Sequence, residues 1–216
     1  MDKRKLEKRL RKRVESRAAA ESRIVETVRQ YRECGGCTAC CTLLHIDELD
    51  KPVATPCQHE CAAGCAIYQQ KPASCSVYEC LWRAGNIMED EYRPDKLGVI
   101  FDMTGTRAGC EMTVLERHRI IIAREMYEKA SESPAAQRVI MALGTRHPVL
   151  VMRYMGAGQQ PETGKLSGAH DLVMAVVNDP QVKAASATRR QTALAALRDA
   201  ITGLDALEKE IRNVSP

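Results

Sequence analysis

Aromatic residues are scarce in this chain of 216 residues, which has one Trp, one Phe and six Tyr. Apolar residues still make up 44 % of the sequence, so we expect a packed core built mainly from aliphatic side chains. Stacking of bases on aromatic rings is the usual way to hold single-stranded nucleic acid. The scarcity of aromatic residues therefore disfavours single-strand recognition.

Long apolar runs are also absent. No stretch of about 18 apolar residues occurs, which argues against a membrane-spanning helix and a membrane partner. The basic start MDKRKLEKRLRKR is not followed by the apolar segment that a secretory signal needs. We therefore expect a cytoplasmic protein whose thiols stay reduced.

Positive charge is concentrated at one end of the chain. Residues 1–33 carry 12 Lys and Arg against 6 Asp and Glu and contain neither Pro nor Gly, which predicts a basic N-terminal helix over 1–33. Such a charge run is usually the solvated face of a helix. A basic segment also attracts nucleic acid, although nucleic acid is not the partner that we favour here.

The rest of the chain predicts three further parts. Residues 34–110 form a Cys-rich metal-binding domain, residues 111–180 an α+β extension, and residues 181–216 a C-terminal helix. The predicted fold class is α+β, with a small irregular Cys-rich metal-binding core and a small sheet, flanked by long N- and C-terminal helices. These terminal helices are the predicted surface for a protein partner, whose identity the sequence leaves unknown.

The extension and its border with the Cys-rich part predict several elements. KLGVIFDMTG (96–105), CEMTVLERH (110–118) and HPVLVMRYMGAG (147–158) have the alternating or β-branched character of strands. Residues 119–143 predict helix, with a break or a new start at Ser133-Pro134. Residues 156–168 predict a polar connection, and residues 170–178 a short helix.

Cysteine is abundant in one segment only. Ten cysteines are present, and nine of them lie between residues 34 and 80. Disulfides need an oxidising compartment, and an odd number of thiols leaves one unpaired. A nucleophilic site needs one activated thiol beside a base rather than nine. We favour metal binding, because Cys-x2-Cys lets one turn present two sulfurs to one ion.

Eight of these cysteines are the predicted metal ligands: Cys34, Cys37, Cys40, Cys41, Cys57, Cys65, Cys75 and Cys80. Cys61 is left unassigned, and so are His45 and His59, since a lone histidine is more often a surface residue. Cys40 and Cys41 are neighbours, and adjacent side chains usually point in different directions. The pair therefore suits two metal centres, or two irons of one cluster, better than one tetrahedral ion.

The spacing leaves the cofactor open between an iron–sulfur cluster and zinc. Cys-x2-Cys-x2-Cys opens the bacterial ferredoxin run, but there the fourth cysteine comes after a gap and precedes Pro. A zinc ribbon pairs two separated Cys-x2-Cys knuckles, and only the first is present here. Cys110 stands apart from the others and is predicted to be a buried apolar residue.

The order of the motifs resembles one family. CGGCTACC (34–41), PCQH (56–59) and GCAIYQQKPASCSVYEC (64–80) are similar to the YkgJ-type CxxCxxCC cysteine-cluster family of zinc- or iron-chelating domains. Lys71-Pro72 stands where the family usually has Arg-Pro. The stretch RPDKLGVIFD (93–102) resembles longer members. The resemblance covers residues 34–102 and implies a cysteine-bound metal centre, commonly described as iron–sulfur.

Three functions follow from these observations. We favour a metal-chelating protein that binds an iron–sulfur cluster, or zinc, with a redox or accessory role. The alternative is a zinc-stabilised module that binds nucleic acid or protein through its basic N-terminal helix. Enzyme activity is left undecided, because Glu111, Glu116, His118 and His147 offer acid–base groups that no motif pairs.

Overall fold

The structure, a computed structural model, describes residues 32–87, 89–103 and 111–189, together with Lys12, Glu15, Ser16, Arg23 and Gln191. Most of the predicted basic helix over 1–33 and of the predicted C-terminal helix over 181–216 lies outside the described residues, as does Cys110. The chain divides into two compact units, Met1–Ala169 and His170–Pro216.

The Cys-rich part is built from short elements. In chain order they are helix α1 (Ala39–Leu43), strands β1 (Glu60–Cys61) and β2 (Gly64–Cys65), and helix α2 (Ala73–Val77). The two strands form an antiparallel hairpin. Pro52, Pro56 and Pro72 interrupt the segment, and each lacks the N–H that a continuing helix or ladder would need. The elements of this part therefore stay short.

Among the described residues, three helices and four strands follow in the first unit, and the second contains a short helix and further helical residues at 180–189. The helices are α3 (Pro94–Leu97), α4 (Val114–Arg117), α5 (Pro134–Gly144) and α6 (His170–Val177), the last belonging to the second unit. The strands are β3 (Val99–Met103), β4 (Ile121–Glu125), β5 (Val149–Arg153) and β6 (Glu162–Ser167). Single 3-10 turns lie at Asp47–Leu49, Tyr68–Gln70, Asp90–Tyr92 and Ala130–Glu132. The mixture of helices and small sheets confirms an α+β fold in general terms.

Strands β3 to β6 form one sheet in the order in which they occur in the sequence. β3 and β4 are antiparallel, β4 and β5 are parallel, and β5 and β6 are antiparallel with a register shift between Leu150 and Met152. Parallel neighbours need a crossover connection, and α5 lies within the one that joins β4 to β5. Its start is well marked, since Ser133 caps the helix by accepting a hydrogen bond from the amide of Ala136.

The two faces of the sheet serve two cores. Val99 and Phe101 of β3 belong to a large core that includes residues of α5. Ile100, between them, joins Ala39 and Leu43 of α1 in a second cluster, called here the small core. Because successive strand residues point to opposite faces, the sheet carries α5 on one side and the Cys-rich part on the other.

Several predicted elements are confirmed and three are wrong. Strands occur as expected at β3 and β5, and helix α6 lies within the predicted range 170–178. The predicted strand over 110–118 is wrong, because Thr113 and Glu116 form a reciprocal capping box that starts α4. The predicted helix over 119–143 is wrong in its first part, which contains strand β4, whereas the predicted new start at Ser133-Pro134 is confirmed, because α5 begins at Pro134. The predicted connection over 156–168 contains strand β6.

None of the helices among the described residues combines the length and the hydropathy that a membrane crossing requires.

Candidate metal centre

All eight predicted ligands line one cavity of about 720 Å³: Cys34, Cys37, Cys40, Cys41, Cys57, Cys65, Cys75 and Cys80. Of the nine described cysteines, only Cys61 does not line this cavity, and its side chain is exposed. None of these nine forms a disulfide. The structure thus brings together the thiols that the spacing singled out, from four separate stretches of chain.

The hairpin explains why Cys65 lines the cavity and Cys61 does not. Cys65 pairs with Glu60, and Cys61 pairs with Gly64. Adjacent pairs of a two-stranded ribbon present their side chains on opposite faces. One face therefore carries Cys65 towards the cavity, and the other leaves Cys61 exposed to solvent.

The first two thiols are presented by a tight turn. The amide of Cys37 donates to the carbonyl of Cys34 at 2.9 Å, and Gly35 adopts φ +53°, a left-handed conformation that glycine tolerates well. The hairpin packs against this turn at Gly64, where φ is +115° and an added Cβ would overlap the carbonyl oxygen of Gly35. Glycine at 64 is therefore required for the close approach of the two segments.

Helix α1 supplies the adjacent pair Cys40 and Cys41. Ala39 and Leu43, four residues apart, bury one face of the helix in the small core. Cys40 and Cys41 are consecutive residues of this helix, and their side chains interact. A side-chain hydrogen bond between the thiols lowers the pKa of Cys41 to about 7 and raises the pKa of Cys40, so the Cys40 thiol donates to the Cys41 thiolate.

Burial holds the protons on several other thiols. It raises the pKa of Cys37 to about 11 and also raises the pKa of Cys75 and of Cys80. Cys80 is placed by the sheet, because the amide of the next residue, Leu81, donates to the carbonyl of Phe101 in β3 at 2.8 Å. Thiols of this kind bind a metal as thiolates, so metal binding displaces their protons.

A buried lysine lies near Cys57 and Cys41, at the side of the cavity. Lys51 is only 5 % exposed, and its Nζ donates to the carbonyls of Thr42, Leu44 and Pro52 at 2.9, 2.6 and 2.9 Å. Burial lowers the pKa of Lys51, while the charges of Cys57 and Cys41 act in the opposite direction. The ammonium group both ties this loop together and supplies positive charge near two thiols.

A second polar network joins strands β3 and β4 to Tyr78 at the wall of the cavity. Asp102 of β3 is buried and accepts hydrogen bonds from Arg124 Nε at 2.8 Å and from the Tyr78 hydroxyl at 3.1 Å. Burial raises the pKa of Tyr78 well above its usual value, so the hydroxyl keeps its proton. Arg124 and Tyr78 also line the cavity.

Sequence reasoning missed this network, although a signal for it exists. Asp102 is a charged residue inside the otherwise apolar run VIFDM, and Arg124 follows the apolar residues IIA in the strand IIARE. A charged residue in a buried strand needs a partner, so two such runs indicate a cross-strand pair. Lys51 has no comparable signal, because its acceptors are backbone carbonyls that depend on the fold of the loop.

Trp82 contributes a hydrogen-bond donor that the described residues leave unsatisfied. Trp82 is 4 % exposed and lines the cavity, and its buried Nε1 has no hydrogen-bond partner among the described residues. The guanidinium of Arg32 lies 4.6 Å from the centre of the indole ring and donates to the Trp82 carbonyl at 2.6 Å. Buried N–H groups almost always find an acceptor, so this donor is an exception among the described residues.

The histidines and the acid–base candidates have other partners or lie elsewhere. His45 lines the cavity, but its Nε2 pairs with Asp47 at 2.8 Å on the exposed side. His59 lies 3.3 Å from the side-chain amide of Gln58. Neither Glu111, Glu116, His118 nor His147 lines the cavity. Glu116 accepts hydrogen bonds from the amide and hydroxyl of the α4 cap, which accounts for it structurally.

The donors are spread around the cavity rather than gathered at one point. No three His, Cys, Asp or Glu side chains among the described residues are placed closely enough to hold one ion. A tetrahedral zinc ion holds its four sulfurs about 3.8 Å apart, given Zn–S bonds of about 2.3 Å. A cluster spreads its four thiolates over two or four irons, so its ligand set spans a wider space than that of a single ion.

No protein-family model, curated protein or solved structure matches this chain. The resemblance of residues 34–102 to the YkgJ-type family therefore stays a prediction from the motifs.

Proposed function

We propose that this protein is a YkgJ-type cysteine-cluster metal-binding protein. Its cavity thiolates bind an iron–sulfur cluster, which serves a redox or accessory role. The observation that carries the proposal is the convergence of eight thiols on one cavity. Four separate stretches of the Cys-rich part supply them. Thiolates are strong ligands for zinc and for iron, so this convergence favours metal binding.

The spread of the donors supports iron–sulfur chemistry over a single zinc ion. The eight thiols lie around a cavity of about 720 Å³, and a cluster spreads its four thiolates over two or four irons. A closed zinc site needs four sulfurs around one ion. Zinc therefore remains the alternative outcome of the metal analysis and not the preferred cofactor.

The surroundings of the cavity suit a negatively charged group. Arg124 lines the cavity, and Lys51 lies within charge range of Cys57 and Cys41. The buried indole N–H of Trp82, which has no partner among the described residues, is the donor that we propose for a cluster sulfur. An iron–sulfur cluster supplies one-electron transfer, and its potential depends on net charge, burial and hydrogen bonds to sulfur. The proposal also requires a reducing compartment, in agreement with the cytoplasmic location predicted from the sequence.

Anaerobic purification followed by metal and acid-labile sulfide analysis tests the proposal. We expect iron and sulfide together and a broad visible absorption that bleaches on reduction. Cys61→Ser is the matched control, because Cys61 is exposed and does not line the cavity, and it should keep the full metal content. A colourless protein with stoichiometric zinc would refute the redox role. A cooperatively folded protein without metal would refute metal binding altogether.

A further inference from the structure

Arg32 joins two stretches of chain that both supply thiols to the cavity. Its Nη1 donates hydrogen bonds to the carbonyls of Trp82 and Ile87 at 2.6 and 2.5 Å. Cys34 follows Arg32 by two residues, Cys80 precedes Trp82 by two residues, and both thiols line the cavity. Hydrogen bonds from a charged donor are stronger than neutral ones. Arg32 therefore fastens the stretch that carries Cys34 to the stretch that carries Cys80.

The two acceptors of Arg32 belong to one tight turn. The amide of Ile87 donates to the carbonyl of Leu81 at 3.2 Å, and Gly85 adopts φ +78°, a conformation that glycine tolerates well. The turn brings the carbonyls of Trp82 and Ile87 within reach of one nitrogen atom. Because Nη1 carries two hydrogens, it satisfies both carbonyls. These contacts of Arg32 with the turn are called here the Arg32 clamp.

The same guanidinium also lies over the indole ring of Trp82. The Cζ atom of Arg32 is 4.6 Å from the centre of the ring, a distance at which a cation is attracted to an aromatic face. Trp82 is buried and lines the cavity, whereas Arg32 does not line it. The indole is therefore a part of the cavity wall that Arg32 supports from outside.

The indole ring has no hydrogen bond of its own within the described part of the chain. A buried tryptophan usually fixes its orientation through a hydrogen bond from the ring N–H, but Nε1 of Trp82 has no partner among the described residues. Trp82 packs in the large core with Leu81 and Ile87, and packing restrains it on that side. Arg32 adds the polar contacts that hold its backbone and its ring face.

We propose that Arg32 is a positioning residue, which holds Trp82 as a closed wall of the cavity and so limits the access of water and chelators to the metal bound there. This inference rests on the proposed function, because the wall encloses the site of the proposed centre. The apolar shell around a metal site controls how easily solvent reaches it. Loss of the Arg32 clamp should therefore open the wall and speed the loss of metal.

Hydrogen exchange of the full-length protein, purified without oxygen, tests the clamp. The amides of Gly85, Asn86 and Ile87 donate within the turn, so their exchange reports how often the turn opens. Arg32→Met keeps an apolar stem but removes the charge and both hydrogen bonds. It should speed this exchange about tenfold, which corresponds to about 1.4 kcal/mol and is within what one charged hydrogen bond contributes.

Two further variants control the exchange measurement. Arg32→Lys should restore most of the wild-type protection, because an ammonium group also carries enough donors for two carbonyls. Glu33→Gln changes an exposed neighbour of Arg32 and should exchange as the wild type does. If Arg32→Met exchanges no faster than Glu33→Gln, Arg32 does not hold the turn and the proposal is overturned.

Loss of metal to an excess of EDTA measures access to the cavity. The rate should rise in Arg32→Met by about the same factor as the exchange of the turn, and Arg32→Lys should return it towards the wild-type rate. Thr113→Ala is the stability control, because it removes the cap of α4 and Thr113 does not line the cavity. It should lose metal at the wild-type rate. Faster exchange in Arg32→Met without faster metal loss, or an equal acceleration by Thr113→Ala, would overturn the role of Arg32 at the wall.

The wild-type chain covers the case in which Arg32→Met fails to fold. The turn amides of the wild type should be strongly protected, and exchange at the rate of an unstructured chain would overturn the clamp. Protein that binds no metal would instead refute the proposed function, and the exchange of the turn would still decide whether Arg32 holds it.

Discussion

Replacement of Lys51 by Met tests how the loop between α1 and the hairpin is held. The side chain is 5 % exposed, and its ammonium group donates to three backbone carbonyls at 2.6–2.9 Å. Methionine keeps much of the length and apolar volume of lysine but donates nothing. The variant therefore isolates the hydrogen bonds from the packing of the side-chain stem.

The magnitude follows from the three acceptors. A buried polar group that loses its partner costs about 1–3 kcal/mol. The lower value applies here, because a loop can admit water and because removing a buried ammonium also removes its desolvation cost. Three carbonyls then give a loss of about 3 kcal/mol in the free energy of unfolding. With a urea dependence of about 1.5–3 kcal/mol per molar, the midpoint should fall by about 1–2 M.

The assay is urea unfolding followed by circular dichroism, on samples matched for metal content. Lys96→Met is the control, since Lys96 is exposed and pairs with Asp90 on the surface at 2.8 Å, where an ion pair contributes little. The control should unfold at nearly the wild-type midpoint. If Lys51→Met and Lys96→Met lower the midpoint equally, Lys51 does not hold the loop and the reasoning fails.

Three further predictions concern the cavity and its walls. In metal-free protein, the rate of alkylation of Cys41 should rise with pH around a midpoint near its pKa of about 7, because the thiolate is the nucleophile. Cys40→Ala removes the hydrogen-bond donor that stabilises this thiolate, so the midpoint should move to higher pH. An unchanged midpoint would contradict the assignment. Trp82→Phe should lower the reduction potential of the bound centre by about 40 mV if the N–H···S bond contributes about 1 kcal/mol, measured by redox titration, whereas an unchanged potential would place the indole N–H away from sulfur. Gly64→Ala should destabilise the protein by more than about 2 kcal/mol, because residue 64 has a φ of +115° and an added Cβ would overlap Gly35. The control Gly36→Ala, whose Cβ would meet its nearest atom at 3.6 Å, should unfold near the wild-type midpoint. Equal effects of the two variants on the unfolding midpoint would contradict the close approach of the hairpin to the turn.

The sequence predicted the strands whose burial leaves a local signal. β3 and β5 are short apolar runs next to Gly or Pro, and a buried strand reads in this way. β4 has the same character, but it was merged with the helix that follows. Arg119 and Lys129, which adopt a left-handed backbone conformation, separate it from the neighbouring elements. Arginine and lysine have no preference for that conformation, so the sequence does not predict it.

The polar strand β6 could not be predicted from its own residues. Its sequence ETGKLS contains no buried residue and includes Gly, a composition that disfavours a strand. It becomes one because the ladder of β5 offers hydrogen bonds to whatever chain follows. Tertiary pairing therefore overrides local preference at the edge of the sheet.

The candidate site was predictable in its membership but not in its geometry. The spacing, together with the resemblance to the YkgJ-type family, singled out the eight thiols that line the cavity. It did not show which of them share a side, because that depends on the hairpin register that separates Cys61 from Cys65. The polar neighbours of the cavity come from β3, β4 and a loop, so they are found only once the chain is folded.

The attachment of Cys80 to β3 sets an order of events during biosynthesis. All the cavity thiols leave the ribosome before Phe101, whose carbonyl anchors the residue next to Cys80, and before Ile100, on which Cys37 and Cys40 rest. One wall of the cavity therefore has no support until translation has passed the first strands of the sheet. The metal binding that we propose therefore becomes possible only after β3 has left the ribosome, and the thiols must stay reduced until then.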